Sequence, residues 1–188
     1  GVNSVEDVFL KYKATIIEEL TKNLHESGKD QPGKLIQSID VKIGVESSAI
    51  SFKLFMEDYW KYVDEGVQGT KSGGITSQYK FKTGGKRIPI DSIKKFIAAR
   101  GIAPAQNITK GKQLSNLRNK KLKKVIKKVN KQNDINSAAF AIGTAIKQHG
   151  IKPTYFFSDV INADLHDSIK KDLEIVLKKE IELSFTIN

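Results

Sequence analysis

The sequence of 188 residues holds no cysteine, only four prolines, and a single tryptophan and methionine. The missing thiols exclude disulfides and thiolate metal sites, and they leave the redox compartment open. No apolar run approaches membrane-spanning length. No charged-then-apolar signal segment opens the sequence, so a soluble intracellular or virion-type protein without a membrane partner is expected. The first residue is Gly1, as expected of a processed or truncated terminus. Aromatics make up 8% and hydrophobic residues 39%, slightly low, as for a chain partly solvated or ordered only by partners. There is no internal repeat.

Acidic residues are the most telling absence. Between Tyr79 and Lys131 the only acid is Asp91, against 17 Lys/Arg, so this block carries +16. The whole chain is +11, which makes the remainder mildly acidic. Solubility would be met by interspersed charge. A concentrated positive field attracts a polyanion and repels itself unless counter-charge is near.

The length fits one domain over 1–188, or one domain with a long insertion. Ser4 to Ser27 predicts an amphipathic helix with Val5, Val8, Phe9, Tyr12, Ile16, Leu20 and Leu24 on one face. Ser4 and Asp7 form a capping arrangement, and Gly28 supplies the stop. Ile39 to Val45 and Ile50 to Met56 alternate as two strands, joined by the short turn Glu46-Ser47-Ser48. Pro89 opens a further helix that Gly101 ends. Two more helices are predicted over 113–130 and 136–149, and a last one over 164–180. Ile181, Leu183, Phe185 and Ile187 alternate with polar residues in a terminal strand. That strand either completes the sheet or donates itself to a neighbouring subunit. The expected class is α+β: a small antiparallel sheet of hairpin plus C-terminal strand, packed with several helices. The insertions are a flexible Gly-rich loop over 66–87 and a basic helical segment over 107–133.

The basic segment carries the candidate contacts to nucleic acid or an acidic partner: Lys110, Lys112, Arg118, Lys120, Lys121, Lys123, Lys124, Lys127, Lys128 and Lys131. Over 113–130, Leu114, Leu117, Leu122, Val125, Ile126 and Val129 share one half of the helix. Most lysines share the other, while Arg118 and Lys121 fall in the apolar half. Ammonium groups displace counterions from a phosphate backbone without reading bases. A solvated surface face is the bland reading of the same residues, but such a face normally intersperses acids. Lysine outnumbers arginine, so base-reading forks are scarce and sequence-specific recognition is not expected. In the loop, Lys71, Lys80, Lys82, Lys86 and Arg87 would lie on any contact it makes. Its glycines do not form the G-x-x-x-x-G-K-[ST] phosphate cradle.

Nothing points to catalysis. His25 and His149 suit the ends of helices. His166 and Asp167 are adjacent and are expected on different faces, so no metal site is expected. Glu57, Asp58, Asp64 and Glu65 flank aromatic residues, and capping or ion pairing accounts for them more simply than acid–base chemistry. No cofactor is expected. Tyr59, Trp60, Tyr155, Phe156, Phe157 and Phe185 are candidates for a subunit interface, with burial in the core as the alternative fate.

Three segments follow one another along the chain. Tyr59-Trp60-Lys61-Tyr62-Val63-Asp64-Glu65-Gly66 precedes the Gly-rich stretch. Ile88-Pro89-Ile90-Asp91-Ser92-Ile93-Lys94-Lys95-Phe96-Ile97 leads to Arg100-Gly101-Ile102. Ala138-Ala139-Phe140-Ala141-Ile142 runs through Ile146-Lys147-Gln148-His149-Gly150-Ile151 to Tyr155-Phe156-Phe157. This order resembles the head–tail joining (neck, connector or tail-completion) proteins of tailed bacteriophages, over most of the chain. The resemblance implies a non-catalytic α+β subunit in a homo-oligomeric ring of roughly six or twelve copies. It implies a place near the portal, beside other neck or tail proteins and double-stranded DNA, in the virion after assembly in the host cytoplasm. The lysine-rich insertion and terminal strand depart from shorter members and leave ring partner and stoichiometry open. The alternative function is a stand-alone nonspecific DNA-binding or packaging accessory protein.

Overall fold

The structure, a computed structural model, describes residues 4–28, 33–71, 73–86, 91, 94 and 120–188, with backbone alone for 120–134. Helix α1 (Val5–Ser27) begins where Ser4 accepts a hydrogen bond from the Asp7 N–H. It ends at Gly28, whose φ of 65° is the left-handed conformation that a residue without Cβ adopts freely. Val8, Tyr12, Ile16, Leu20 and Leu24 recur every four residues and are buried as one stripe. A short helix, α2 (Lys34–Ser38), buries Leu35 and leads into the hairpin of β1 (Asp40–Glu46) and β2 (Ala49–Phe55). Val41 pairs with Leu54, and Ile43 with Phe52. The inward side chains of β2, Ile50, Phe52 and Leu54, are buried, as the period-two pattern predicts.

Helix α3 (Trp60–Glu65) and the two-residue strand β3 (Val67–Gln68) follow. Farther along lie α4 (Lys120–His149), β4 (Gly150–Ile151), α5 (Ala163–Leu177) and β5 (Glu182–Ile187). The architecture is α+β. The main sheet has the order β1-β2-β5, and β3 pairs with β4 in a second. The expectation of a wholly antiparallel sheet holds for the hairpin only, because β5 joins β2 in parallel from Ala49↔Glu182 to Leu54↔Ile187. A parallel neighbour needs a long crossover, which the chain between β2 and β5, with α5 in it, supplies. The terminal strand thus completes the sheet of its own chain.

One other expectation shifts. The helices foreseen over 113–130 and 136–149 are, from Lys120 onward, one 30-residue helix. No Gly or Pro stands between Lys131 and Ile135, and each residue there costs at most about 0.7 kcal/mol in a helix. Residues 113–119 lie outside the described residues. So does most of the helix expected from Pro89, of which Asp91 and Lys94 are helical and pair at 3.8 Å. Among the described residues, no helix is long and apolar enough to cross a membrane.

The chain divides into two compact units, the second inserted into the first. The first comprises Gly1–Val67, Thr76–Tyr79 and Ile151–Asn188; the second comprises Gln68–Ile75 and Lys80–Gly150. The core of the first gathers the α1 stripe, Leu35, Val41, the inward side chains of β2, Phe156, Ile169, Leu173 and Ile181. Burying each such side chain contributes about 1.5–3 kcal/mol. Phe52 packs between Phe9 and Phe185, at ring distances of 6.3 and 5.7 Å. In the second unit Ala139 is buried with Ala138, Ile142 and Ile146 against it.

The α1–α5 contact contains a titrating group. The Tyr12 hydroxyl donates to Asp172 at 2.5 Å, and Lys11 Nζ lies 3.6 Å from the same carboxylate. Burial, the hydrogen bond and the carboxylate charge push the Tyr12 phenol from 10.0 up to about 12. The fold therefore favours the neutral phenol. That stabilisation is fully present below pH 10 and is lost as pH rises through about 12. Over this window the melting temperature of the wild type is expected to fall more steeply than that of Tyr12→Phe. Parallel melting curves for the two proteins would refute the coupling.

Candidate polyanion interface

The boundary between the units is also a boundary of charge. The second unit carries 19 Lys/Arg against two acids, Asp91 and Asp134, a net +17. The first carries 13 against 19, a net −6. Lys71 and Lys147, outside the block read from Tyr79 to Lys131, belong to the basic unit. Only Arg87, Arg100 and Arg118 are arginines there.

Seven lysines, Lys120, Lys121, Lys123, Lys124, Lys127, Lys128 and Lys131, fall on the first part of α4. With 1.5 Å of rise and about 100° of turn per residue, they occupy about 17 Å of axis and an arc of roughly 160°. Duplex DNA presents about ten phosphates over the same length. No acid stands in the first turn of α4 to offset them. Lys110, Lys112, Arg118 and Arg87 lie outside the described residues.

The far end of α4 holds the Gly-rich segment. The N–H groups of Thr70 and Lys71 donate to the carbonyls of Lys147 and Gln148, both at 3.0 Å, and so satisfy the last turn of the helix. This approach requires Gly69, where a Cβ would lie 2.1 Å from the Gln148 carbonyl oxygen. Lys147 Nζ donates to the Gly85 carbonyl at 2.6 Å, and the Phe81 N–H donates to Gln68 at 2.9 Å. The segment read as a flexible loop thus has defined backbone partners at 70–71, 81 and 85. Lys71, Lys80, Lys82 and Lys86 are all exposed on it. Four loop lysines and the α4 lysines therefore belong to one unit.

The candidate interface aromatics separate by burial. Phe156 is fully buried and Phe157 is 8% exposed, so both are core side chains and neither can anchor a partner. Trp60 is half-buried, its ring 4.6 Å from that of Phe157. Phe185 is half-buried against Phe52. Tyr59 and Tyr155 remain at the surface, joined there by Tyr62, which the sequence reading did not single out as an interface residue.

Asp64 is the one buried charged residue among those described. Its Oδ1 accepts from the N–H groups of Phe157 and Ser158 at 2.9 and 3.0 Å, and its Oδ2 accepts from the Ser158 hydroxyl. Its backbone carbonyl accepts from Thr154 and Tyr155. Asp64 thereby caps the turn over 155–161, the capping role expected of these acids. Glu57 pairs with Lys34 at 3.6 Å, and Glu65 accepts from Gln78. His166 corrects the reading that it and Asp167 face apart: His166 Nδ1 lies 3.3 Å from Asp167 Oδ1, and Nε2 lies 2.9 Å from the Leu183 carbonyl of β5. Adjacent side chains reach one another here because the ring also turns toward the strand. Among the described residues no group of three or more His, Asp or Glu is arranged to hold a metal ion.

No protein-family model, curated protein or solved structure matches the chain.

Proposed function

We propose that this chain is a non-catalytic structural subunit whose second unit lies against the backbone of duplex DNA. Its setting in this reading is a ring at the head–tail junction of a tailed bacteriophage, in the virion. The observation that carries the DNA contact is the coincidence of fold and charge: the division that separates the units also separates +17 from −6. A random surface would not sort acids out of one unit. Lysines in place of arginines suit point-charge contact to phosphates and not bidentate reading of guanine. The ring and its setting rest on the order of the three sequence segments.

The test is binding to random-sequence duplex DNA as a function of salt. Each phosphate neutralised contributes about 0.9 to the slope of log K against log salt. Reversing Lys120, Lys123, Lys124 and Lys127 to Glu is expected to reduce that slope by at least about 3.6, while the first unit melts unchanged. An unchanged slope would remove α4 from the interface. Particle imaging addresses the setting. A fixed cyclic copy number between portal and tail supports the ring, whereas binding as a monomer or dimer away from that junction supports a packaging accessory.

A further inference from the structure

The first unit bears an aromatic surface of opposite character to the basic unit. Tyr59 and Tyr62 stand one helical turn apart at α3 and are 38% and 40% exposed. The Tyr79 ring packs edge-on to Tyr62 at 4.9 Å. Tyr155, 49% exposed, is joined to α3 through its N–H bond to Asp64 and holds a φ of 53°, strained for an aromatic residue. Large aromatic side chains left at the surface in one cluster mark docking sites more often than isolated apolar residues do.

Electrostatics fixes what this surface can accept. Glu65 lies beside Tyr79, and Glu57 beside Tyr59. The Tyr79 phenol is raised by loss of solvent and then by the Glu65 charge; that of Tyr59 is raised by burial and then by Glu57. Glu65 gives this surface a carboxylate that attracts a cation and repels a polyanion, while Glu57 is already paired with Lys34. An ammonium already rests on one ring, since Lys61 Nζ is 5.4 Å from the centre of Tyr62. A complementary element exists on the same chain. No acid occurs between Glu65 and Asp91, and the turn closed by the Gly85 N–H to the Lys82 carbonyl presents Lys80, Lys82 and Lys86 to solvent.

We infer that the Tyr59–Tyr62–Tyr79 surface with Glu65 receives the Lys80–Lys86 turn of a second copy of this chain. The inference deepens the reading of a self-assembling subunit and leaves the α4 lysines for DNA. Ammonium groups sit over the tyrosine faces and against Glu65, and the contact is sensitive to salt.

Sedimentation of the full chain without DNA tests it. At low salt the wild type is expected to reach at least twice the protomer mass, and to return to the protomer in about 1 M salt. Tyr59→Ser/Tyr62→Ser and Lys80→Gln/Lys82→Gln/Lys86→Gln are each expected to stay monomeric. An equimolar mixture of the two variants is expected to associate, because each supplies the half that the other lacks. A monomeric wild type, undiminished association of either variant, or a mixture that fails to pair would overturn the inference. Unaltered melting temperatures show that these surface variants fold. The tyrosine variant is expected to keep the wild-type DNA salt slope, so loss of self-association is read separately from loss of the DNA contact.

Discussion

Asp64→Ala is expected to destabilise the first unit by about 3–5 kcal/mol, lowering its melting temperature by roughly 13–22 °C. The carboxylate is 2% exposed and accepts three hydrogen bonds from the 157–158 segment, two from backbone N–H groups. Truncation leaves those donors facing a methyl group. A buried donor without a partner forfeits about 1–3 kcal/mol, more where the lost acceptor was charged. The turn that Asp64 holds also carries Phe156 and Phe157 into the core. Loosening it therefore disturbs apolar packing as well as hydrogen bonding.

Asp64→Asn separates the two contributions. The amide oxygen still accepts from Phe157 and Ser158, and the Ser158 hydroxyl turns to accept from the new NH₂. A loss nearer 1 kcal/mol is expected, the difference between a charged and a neutral acceptor. Trp60, the only tryptophan, stacks on Phe157 and reports the site by fluorescence during urea unfolding. Equal midpoints for wild type and Asp64→Ala would show that water replaces the carboxylate, and that Asp64 is not a structural clamp.

Asp64 also shows where sequence reading stops. Its capping role is legible in kind, because an acid at a helix end is a local signal. Its partners are not, because they lie 93 and 94 positions away. The same contrast runs through the fold. Ser4, Asp7 and Gly28 bound α1 by side chains within one turn, and the hairpin is fixed by alternation and a short connection. The direction in which β5 meets β2 depends on the path of the intervening chain, which no local periodicity encodes. The continuity of α4 was hidden by a change of stripe: the apolar positions before Lys131 and the small residues after Asn136 look like separate faces. A helix ends for want of hydrogen bonds or at a breaker, and Gln132-Asn133-Asp134 supplies no breaker.

Within the candidate interface, the charge was legible and its organisation was not. Counting residues finds the lysines of 120–131. It does not find that Thr70 and Lys71 cap the same helix, which brings Lys71 into the unit that contains them. Burial likewise divides Tyr155 from Phe156 and Phe157, three consecutive aromatics with no difference in sequence signal. The left-handed φ at Tyr155 turns the chain between its exposed ring and the two buried ones.

Three glycines allow close approach and backbone conformation to be measured apart. Gly66 combines both: φ is 73° with ψ of −176°, a region essentially confined to glycine, and a Cβ would lie 2.4 Å from the Ile151 carbonyl oxygen. Gly69 has the contact without a positive φ, and Gly73 has a φ of 82° with nothing within 4 Å of its Cβ position. Conformational strain costs about 1–3 kcal/mol, and overlap with fixed backbone about the same again. Gly66→Ala is therefore expected to lose about 3–5 kcal/mol, or to fail to fold. Gly73→Ala is expected to lose about 1 kcal/mol. Gly69→Ala should leave the first unit's melting transition in place and free the amide hydrogens of Thr70 and Lys71 to exchange with solvent, since their acceptors on α4 move away. Equal stability of Gly66→Ala and Gly73→Ala would mean that the chain at Ile151 yields to a methyl group. The passage from α3 into β3 would then be held by Ser77, which donates to the Gly66 carbonyl at 2.9 Å, and not by the fit of the glycine itself.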